Sequence, residues 1–398
     1  MSNSKTINEL ANRYSDDTTA ILSRLVQTRS YGGEEGEVLK VIEEYCRGYG
    51  FDEVRYDGLG NLICRVGSGD RVVAFDAHID TVETGDESQW SRDPFSGVVE
   101  DGRLHGRGAS DQKGGAASMI TAGRILKELG YSGPCSIYFT FTIFEEDCDG
   151  MCWRYIVEEE GIRPEFAVST EPTSCRLYRG HRGRMEMEVL FKGISAHGSA
   201  PERGENAGYK AARTALALEQ LNEDLQPDKG NFLGKGTIVV SQIKAHGPSQ
   251  CAVPDQARLY VDRRLTWGET KELAVEQVKK AGGDDVADVK IPYYENTSWK
   301  GTSYGQELYF PTWKIDADHP LVTAGASAYR GLYGKEPVVD KWTFSTNGVA
   351  ICGKYEIPLI GFGPGDEDQA HAPNECLRVA DLPIAAAFYA ALTYELAP

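Results

Sequence analysis

Apolar residues along the chain gather into two kinds of run. Short unbroken ones, such as Val72-Val73-Ala74-Phe75 and the stretch from Ile137 to Phe144, have the character of strands buried on both faces. Longer ones, such as Ala116 to Leu129, carry helical spacing, and Gly- or Pro-bearing turns separate the two kinds. From about Leu10 to Tyr294 helix and strand patterns alternate, which predicts an α/β architecture. The pattern changes in the middle, where strand (Arg184 to Lys192), helix (Asn206 to Leu221), strand (Gly236 to Ile243), strand (Gln256 to Leu265), helix (Glu269 to Ala281) and strand (Val286 to Tyr293) follow one another. That βαββαβ order is ferredoxin-like. An Ala-rich helix from Leu382 to Glu395 closes the chain, so residues 1–181 and 301–398 are expected to form one mixed-sheet domain, interrupted by an inserted unit over 182–300. No internal repeat or low-complexity tract is present.

Composition narrows the partners. A chain of 398 residues has room for two units of ordinary size. The formal charge of -18 argues against a nucleic-acid or anionic-membrane partner, which would be repelled, and leaves a small-molecule substrate. The opening residues are polar and no later run approaches a membrane span, so a soluble, cytoplasmic protein is expected. Nine scattered cysteines fit a reducing compartment; Cys148 and Cys152 are the one close pair, and small buried residues are the simpler account of both.

In open α/β sheets ligands bind beyond the carboxyl ends of the strands. Four apolar runs lead into polar residues there: Val72 to Phe75 into His78 and Asp80, Ile137 to Phe144 into Glu145 and Glu146, Phe166 to Ser169 into Glu171, and Pro358 to Phe362 towards His371. Asp111 adds a further carboxylate, in a Gly-rich loop (Gly106 to Gly115) ahead of the helix. Singly, each is more often a cap or a surface group. Together, two imidazoles and several carboxylates at one edge repel unless a cation lies among them, and the N/O donor set suits Zn2+, with Mn2+ or Co2+ as substitutes. Asp80, two residues after His78, shares its side of an extended segment and is placed to accept from the second imidazole N–H. Glu145 and Glu146 are adjacent, so one is expected at a metal and the other on the open side as a base, in an order that spacing leaves open.

The ordered set His78-x-Asp80, Gly106-Arg107-Gly108-Ala109-Ser110-Asp111-x-Lys113-Gly114-Gly115, Glu145-Glu146, Glu171-Pro172-Thr173 and His371-Ala372-Pro373-Asn374-Glu375 resembles the co-catalytic zinc family of aminoacylases, acetylornithine deacetylase, succinyl-diaminopimelate desuccinylase and glutamate carboxypeptidases. The resemblance covers nearly the whole chain. It implies a zinc-peptidase catalytic domain with two Zn2+, bridged by Asp111, one completed by His78 and Glu171 and the other by Glu146 and His371, with Glu145 as the general base and the Asp111–Gln112 peptide cis. It implies that the insert is a lid that pairs two copies into a homodimer, that His197 in Gly193 to Pro201 steadies an oxyanion, in its own or the partner's site, and that Arg264 grips a substrate carboxylate. Asn206 matches a lid position as well, though Asn before a helix is a common cap. The implied activity is hydrolysis of an amide in a small N-acyl amino acid, N-acyl amine or short peptide, with exopeptidase action as the alternative.

One segment departs from the family pattern. Relatives carry Thr-Ser-Asp-Gly-Arg or a similar Thr-Asp-Ala-Arg before the last strand, whereas this chain has Ser345-Thr346-Asn347-Gly348-Val349. Ser345, Thr346 and Asn347 thus become neutral candidates for substrate contact, which disfavours a substrate with a second carboxylate there. With Thr170 to Thr173 the segment is similar to the branch labelled selenium-metabolism-linked hydrolases, a label that carries no selenium chemistry. Two other readings compete. A non-catalytic metal-binding protein on this fold is expected to lack Glu145 or a ligand, and all are present. A serine hydrolase is hinted at by Gly301-Thr302-Ser303-Tyr304-Gly305, but the flanks lack the buried strand and helix of a nucleophile elbow and read as a loop.

Overall fold

The computed structural model describes residues 2–226 and 230–396. The apolar runs form the middle of a mixed sheet whose strands lie in the order Glu53–Tyr56, Leu62–Val66, Cys135–Thr142, Arg71–His78, Phe166–Ser169, Leu359–Gly361, Leu177–Tyr178 and Val339–Asp340. The four central strands, from Cys135–Thr142 to Leu359–Gly361, run parallel, so their carboxyl ends share one edge. From Val73 to His78 every residue is buried, as expected for a strand covered on both faces. The second run stops at Thr142 rather than continuing to Phe144, because Phe144 takes a left-handed φ of 63° and turns the chain towards the edge.

Helices cover this sheet. Asp381–Glu395 packs against Ser2–Arg13, Gly114–Glu128 and Pro320–Tyr333. Its Ala-rich sequence is apolar on every side, and residues 385–393 are all buried, the condition of a core helix. Pro383 falls in its first turn, where a missing N–H costs no helical bond.

A second, antiparallel sheet is ordered Thr237–His246, Gln256–Leu265, Gly183–Lys192, Asp288–Lys290. Alternate residues Met185, Met187, Val189 and Phe191 face helices Ala207–Asp224 and Lys271–Gly282 and make a core of their own. Chain order and sheet order together are those of the expected ferredoxin-like unit. Two expectations are corrected. The strand placed at Val286 to Tyr293 is only Asp288–Lys290, since Pro292 cannot donate to the ladder. The boundary at 300 falls in the turn of a hairpin, Tyr293–Thr297 with Ser303–Glu307, and Tyr309–Phe310 then rejoins the second sheet beside Gly183–Lys192. Ser303, read as a loop residue, therefore opens a strand that no helix follows, which also removes the serine-hydrolase rival.

Candidate metal centre

The shared edge collects the predicted side chains. His78 ends its strand, Glu145 and Glu146 follow the turn at Phe144, Glu171 stands two residues past Phe166–Ser169, and His371 lies on the loop after Leu359–Gly361. Asp111 sits in the short irregular turn Ala109–Lys113, where the Asp111–Gln112 peptide is cis, as the resemblance implied. Its Oδ1 is 3.0 Å from His78 Nε2 and its Oδ2 3.6 Å from His371 Nε2. Glu171 Oε1 lies 3.7 Å from His78 Nε2, and Glu146 Oε2 2.8 Å from His371 Nε2. Glu145 is on the His78 side, its Oε2 3.8 Å from Nε2, so both adjacent glutamates enter the cluster, at opposite ends.

The carboxylate of Asp80 does not take the imidazole N–H in the expected way. His78 Nδ1–H donates to the backbone carbonyl of Asp80 at 3.0 Å, while the carboxylate oxygen Oδ1 stands at 3.6 Å. The role of fixing the ring survives, through the main chain. Asp80 Oδ2 instead accepts from the Glu146 N–H at 3.0 Å, tying the two ends of the cluster together. With Nδ1–H committed to the main chain, Nε2 is the nitrogen that faces the carboxylates, donating to Asp111 Oδ1 at 3.0 Å, and the one available to a cation placed among them.

These donors fit a cation. Glu171 Oε2 is buried without a hydrogen-bond partner. Burial, reinforced by neighbouring carboxylates, pushes the Glu145 and Glu171 carboxyls well up and Glu146 to about 7. Burial alone would lower His78, yet Glu171 and Glu145 drive it well above the usual imidazole range. The cluster thus lacks positive charge, which a divalent ion among oxygen and imidazole donors supplies. His78, Glu145 and Glu171 can surround one ion, and His78, Asp111 and Glu146 another.

The centre opens into a cleft of about 300 Å³. Arg264 and Ser345 line it, Arg264 held by both oxygens of Asp262 at 2.9 and 3.1 Å. Thr346 and Asn347 do not, which corrects their assignment as substrate contacts: both are buried and spent on the fold. Asn347 Nδ2 donates to Asp76 Oδ2 at 2.9 Å and its Oδ1 accepts from the Gly150 N–H at 2.9 Å. Thr346 binds His181. Asn206 caps the helix Ala207–Asp224, accepting from the Tyr209 N–H, and does not line the cleft. His197 is exposed, its Nδ1 paired with Ser199 Oγ at 2.7 Å, and is likewise absent from the cleft of its own chain. Cys148 and Cys152 are free, buried thiols.

Several residues around the site had no forecast. Glu375 accepts from the N–H groups of Gly108, Ser110 and Asp111 and from Arg107 Nη1, all within 3.0 Å, and so shapes the loop that carries Asp111. Lys113 buries its ammonium against the carbonyls of Leu25 and Thr28 at the C-terminus of Ser15–Gln27, where a helix leaves acceptors free. Burial lowers its pKa to about 7. Arg184 lines the cleft and pairs with Asp149 at 3.0 Å. Lys113 and Glu375 belong to the motifs that carry the resemblance, but nothing in their spacing announces these partners.

The Peptidase family M20/M25/M40 model matches residues 74–395. The YgeY protein of Escherichia coli K12 is 50% identical over 390 residues, 98% of this chain and 96% of its own. Acetylornithine deacetylase of Proteus mirabilis is 28% identical, covering 81% of this chain and 79% of its own. Among solved structures, aminopeptidase PepT from Bacillus cereus superposes with a TM-score of 0.73 at 23% identity, over 96% of this chain and 99% of that one. No helix among the described residues is long and apolar enough to cross a membrane. The order of the ligand-type residues, the edge that gathers them and a family match spanning both parts of the large sheet lead to one conclusion: the chain belongs to the M20/M25/M40 peptidase family of hydrolases.

Proposed function

We propose that the protein is a two-zinc amidohydrolase acting on a small N-acyl amino acid, N-acyl amine or short peptide. The observation that carries this is the two-faced Asp111, whose oxygens address His78 and His371 separately and so suit a bridge between two ions. His78 with Glu171 would hold one ion and Glu146 with His371 the other, Co2+ or Mn2+ serving as substitutes. Bound there, the ions supply polarisation of the amide carbonyl and acidification of water to a pKa of ~7.

The remaining work falls to side chains. Glu145, beside the His78 half of the cluster, takes the proton of the attacking water and returns it to the leaving nitrogen. Arg264 orients a substrate carboxylate from the second sheet, which acts as the lid, and Ser345 contributes a neutral wall.

His197 steadies the oxyanion from the partner's lid, since it lies away from its own cleft. That role requires a homodimer, and the second sheet offers a surface for one: Tyr209 and Leu216 on helix Ala207–Asp224 are exposed, as are Val239 and Ile243 on the outermost strand. Sedimentation at micromolar concentration is expected to give a dimer; a monomer ends that part of the reading.

The experiment that tests the function is a screen of N-acyl amino acids, N-acyl amines and dipeptides against zinc-loaded protein, with and without EDTA. Turnover is expected for one of these classes and is expected to vanish on chelation and return with metal. Turnover that resists the chelator after metal analysis shows an empty protein sinks the reading, and the active class separates deacylase from exopeptidase.

A further inference from the structure

The hairpin of Tyr293–Thr297 and Ser303–Glu307 belongs to neither large sheet. Both its ends are rooted on one strand, because Asp288–Lys290 before it and Tyr309–Phe310 after it both pair with Gly183–Lys192. Two five-residue strands alone are marginal in water, and along these two nearly every residue is exposed or half-buried. The hairpin therefore depends on the surface it docks against.

Its tip is seated on the larger unit. The Trp299 indole N–H donates to the Gly60 carbonyl at 3.0 Å, and its ring meets Tyr56 edge-on, centroids 5.3 Å apart. The seat exists because two residues there lack side chains. A Cβ would come within 2.6 Å of the indole nitrogen at Gly60 and within 2.9 Å of a ring carbon at Gly36. Lys300 and Thr302 add bonds to the carbonyls of Asp57 and Gly58 at 2.6 and 2.7 Å.

Between tip and root the two strands reach the segment that follows the paired glutamates. Tyr294 OH donates to Asp147 Oδ2 at 2.9 Å. Gln306 Nε2 donates to the Asp149 carbonyl at 3.0 Å and to Cys148 Sγ at 3.3 Å. No strand or helix intervenes between Thr142 and Met151, so Glu145 and Glu146 stand on a stretch without a backbone ladder of its own. The hairpin supplies side-chain ties in place of that ladder.

We propose that this hairpin is a strut, with Trp299 as its anchor and Tyr294 and Gln306 as positioning residues that hold the 147–149 segment, and through it Glu145 and Glu146, in working position. The strut also joins the second sheet to the larger unit through the Trp299 seat on Gly60 and Gly36, so its loss loosens both the segment and the seat of the second sheet. The consequence for catalysis rests on the roles given above to Glu145 and Glu146, while the mechanical part does not.

The test uses the full chain loaded with Co2+, comparing the unaltered protein with Tyr294→Phe/Gln306→Leu, Trp299→Ala and Trp299→Phe. Hydrogen exchange over residues 145–150 is expected to quicken about tenfold in the double variant and in Trp299→Ala, as loss of roughly 1–2 kcal/mol of hydrogen bonding requires. Exchange in the strand Arg71–His78 stays unchanged, which separates local loosening from general unfolding. The cobalt visible band shifts, kcat falls with KM little altered, and Trp299→Phe recovers part of each effect. Lys271→Met, which removes the exposed contact to Glu307 at the root and the cation over the Tyr309 ring, leaves these readings alone. Unchanged exchange protection at 145–150 in the double variant overturns the strut whatever the activity. Protection lost in a protein that binds no cobalt keeps the strut and defeats the metal reading instead.

Discussion

Glu145→Gln is expected to retain two equivalents of zinc while kcat falls about 10²- to 10⁴-fold. The substitution is close to isosteric and the position is 6% exposed, so the fold has little reason to respond. What changes is that an amide neither accepts the proton of the attacking water nor delivers it to the leaving nitrogen. Metal analysis beside single-turnover kinetics checks both halves. Full turnover removes the base role. Loss of one zinc moves Glu145 into the ligand set, a sharp alternative because its Oε2 is 3.8 Å from His78 Nε2 and Glu171 Oε1 is 3.7 Å away.

Glu375→Leu is expected to cost about 3–5 kcal/mol of stability and to weaken metal binding together. Glu375 is fully buried, and three of its four hydrogen bonds satisfy the N–H groups of Gly108, Ser110 and Asp111, the fourth going to Arg107. Removing it strands the Arg107 guanidinium, 3% exposed, in a low-dielectric setting, which is the expensive way to break a buried pair. A companion change, Arg107→Met, should restore part of the stability by removing the orphaned charge, yet not the metal affinity, because the loop carrying Asp111 still lacks its acceptor. Denaturant midpoints and zinc titrations of the single and double variants check this. A loss below about 1 kcal/mol would falsify the account.

The cluster at the sheet edge is legible because apolar runs lead to His78, Glu145, Glu146, Glu171 and His371, and parallel strands deliver such residues to one edge whatever their separation in sequence; Asp111 is legible only from its Gly-rich motif. The ferredoxin-like order was readable for a similar reason, since Met185, Met187, Val189 and Phe191 repeat with the period of a strand. The hairpin was not, because its alternation is of polar with half-exposed positions and its stability comes from Gly36 and Gly60, more than two hundred residues earlier. Asp80 misled in a different way: the residue was right and the atom wrong, as spacing ranks side chains and is silent on main-chain acceptors. Asn347 misled because a family position suggested a reader of substrate, while its four polar contacts, to Asp76, Thr142, Gly150 and Cys152, exist only once distant segments meet. Isolated polar residues such as Lys113 and His181 leave no periodic trace, and their partners are visible only in three dimensions.

The central sheet takes the strand beside Phe166–Ser169 from Leu359–Gly361, on the far side of the inserted unit. During synthesis this sets a schedule. Four of the five ligand-type residues have been joined to the chain once Glu171 is made, but His371 is 200 positions further on, a delay of roughly 10–40 s at ordinary elongation rates. In that interval the insert, with its own core, has time to fold while the first half waits with an open sheet edge. The cluster is thus completed only after the inserted unit has been made, so any ion held by all five residues would be captured after that unit has had time to fold.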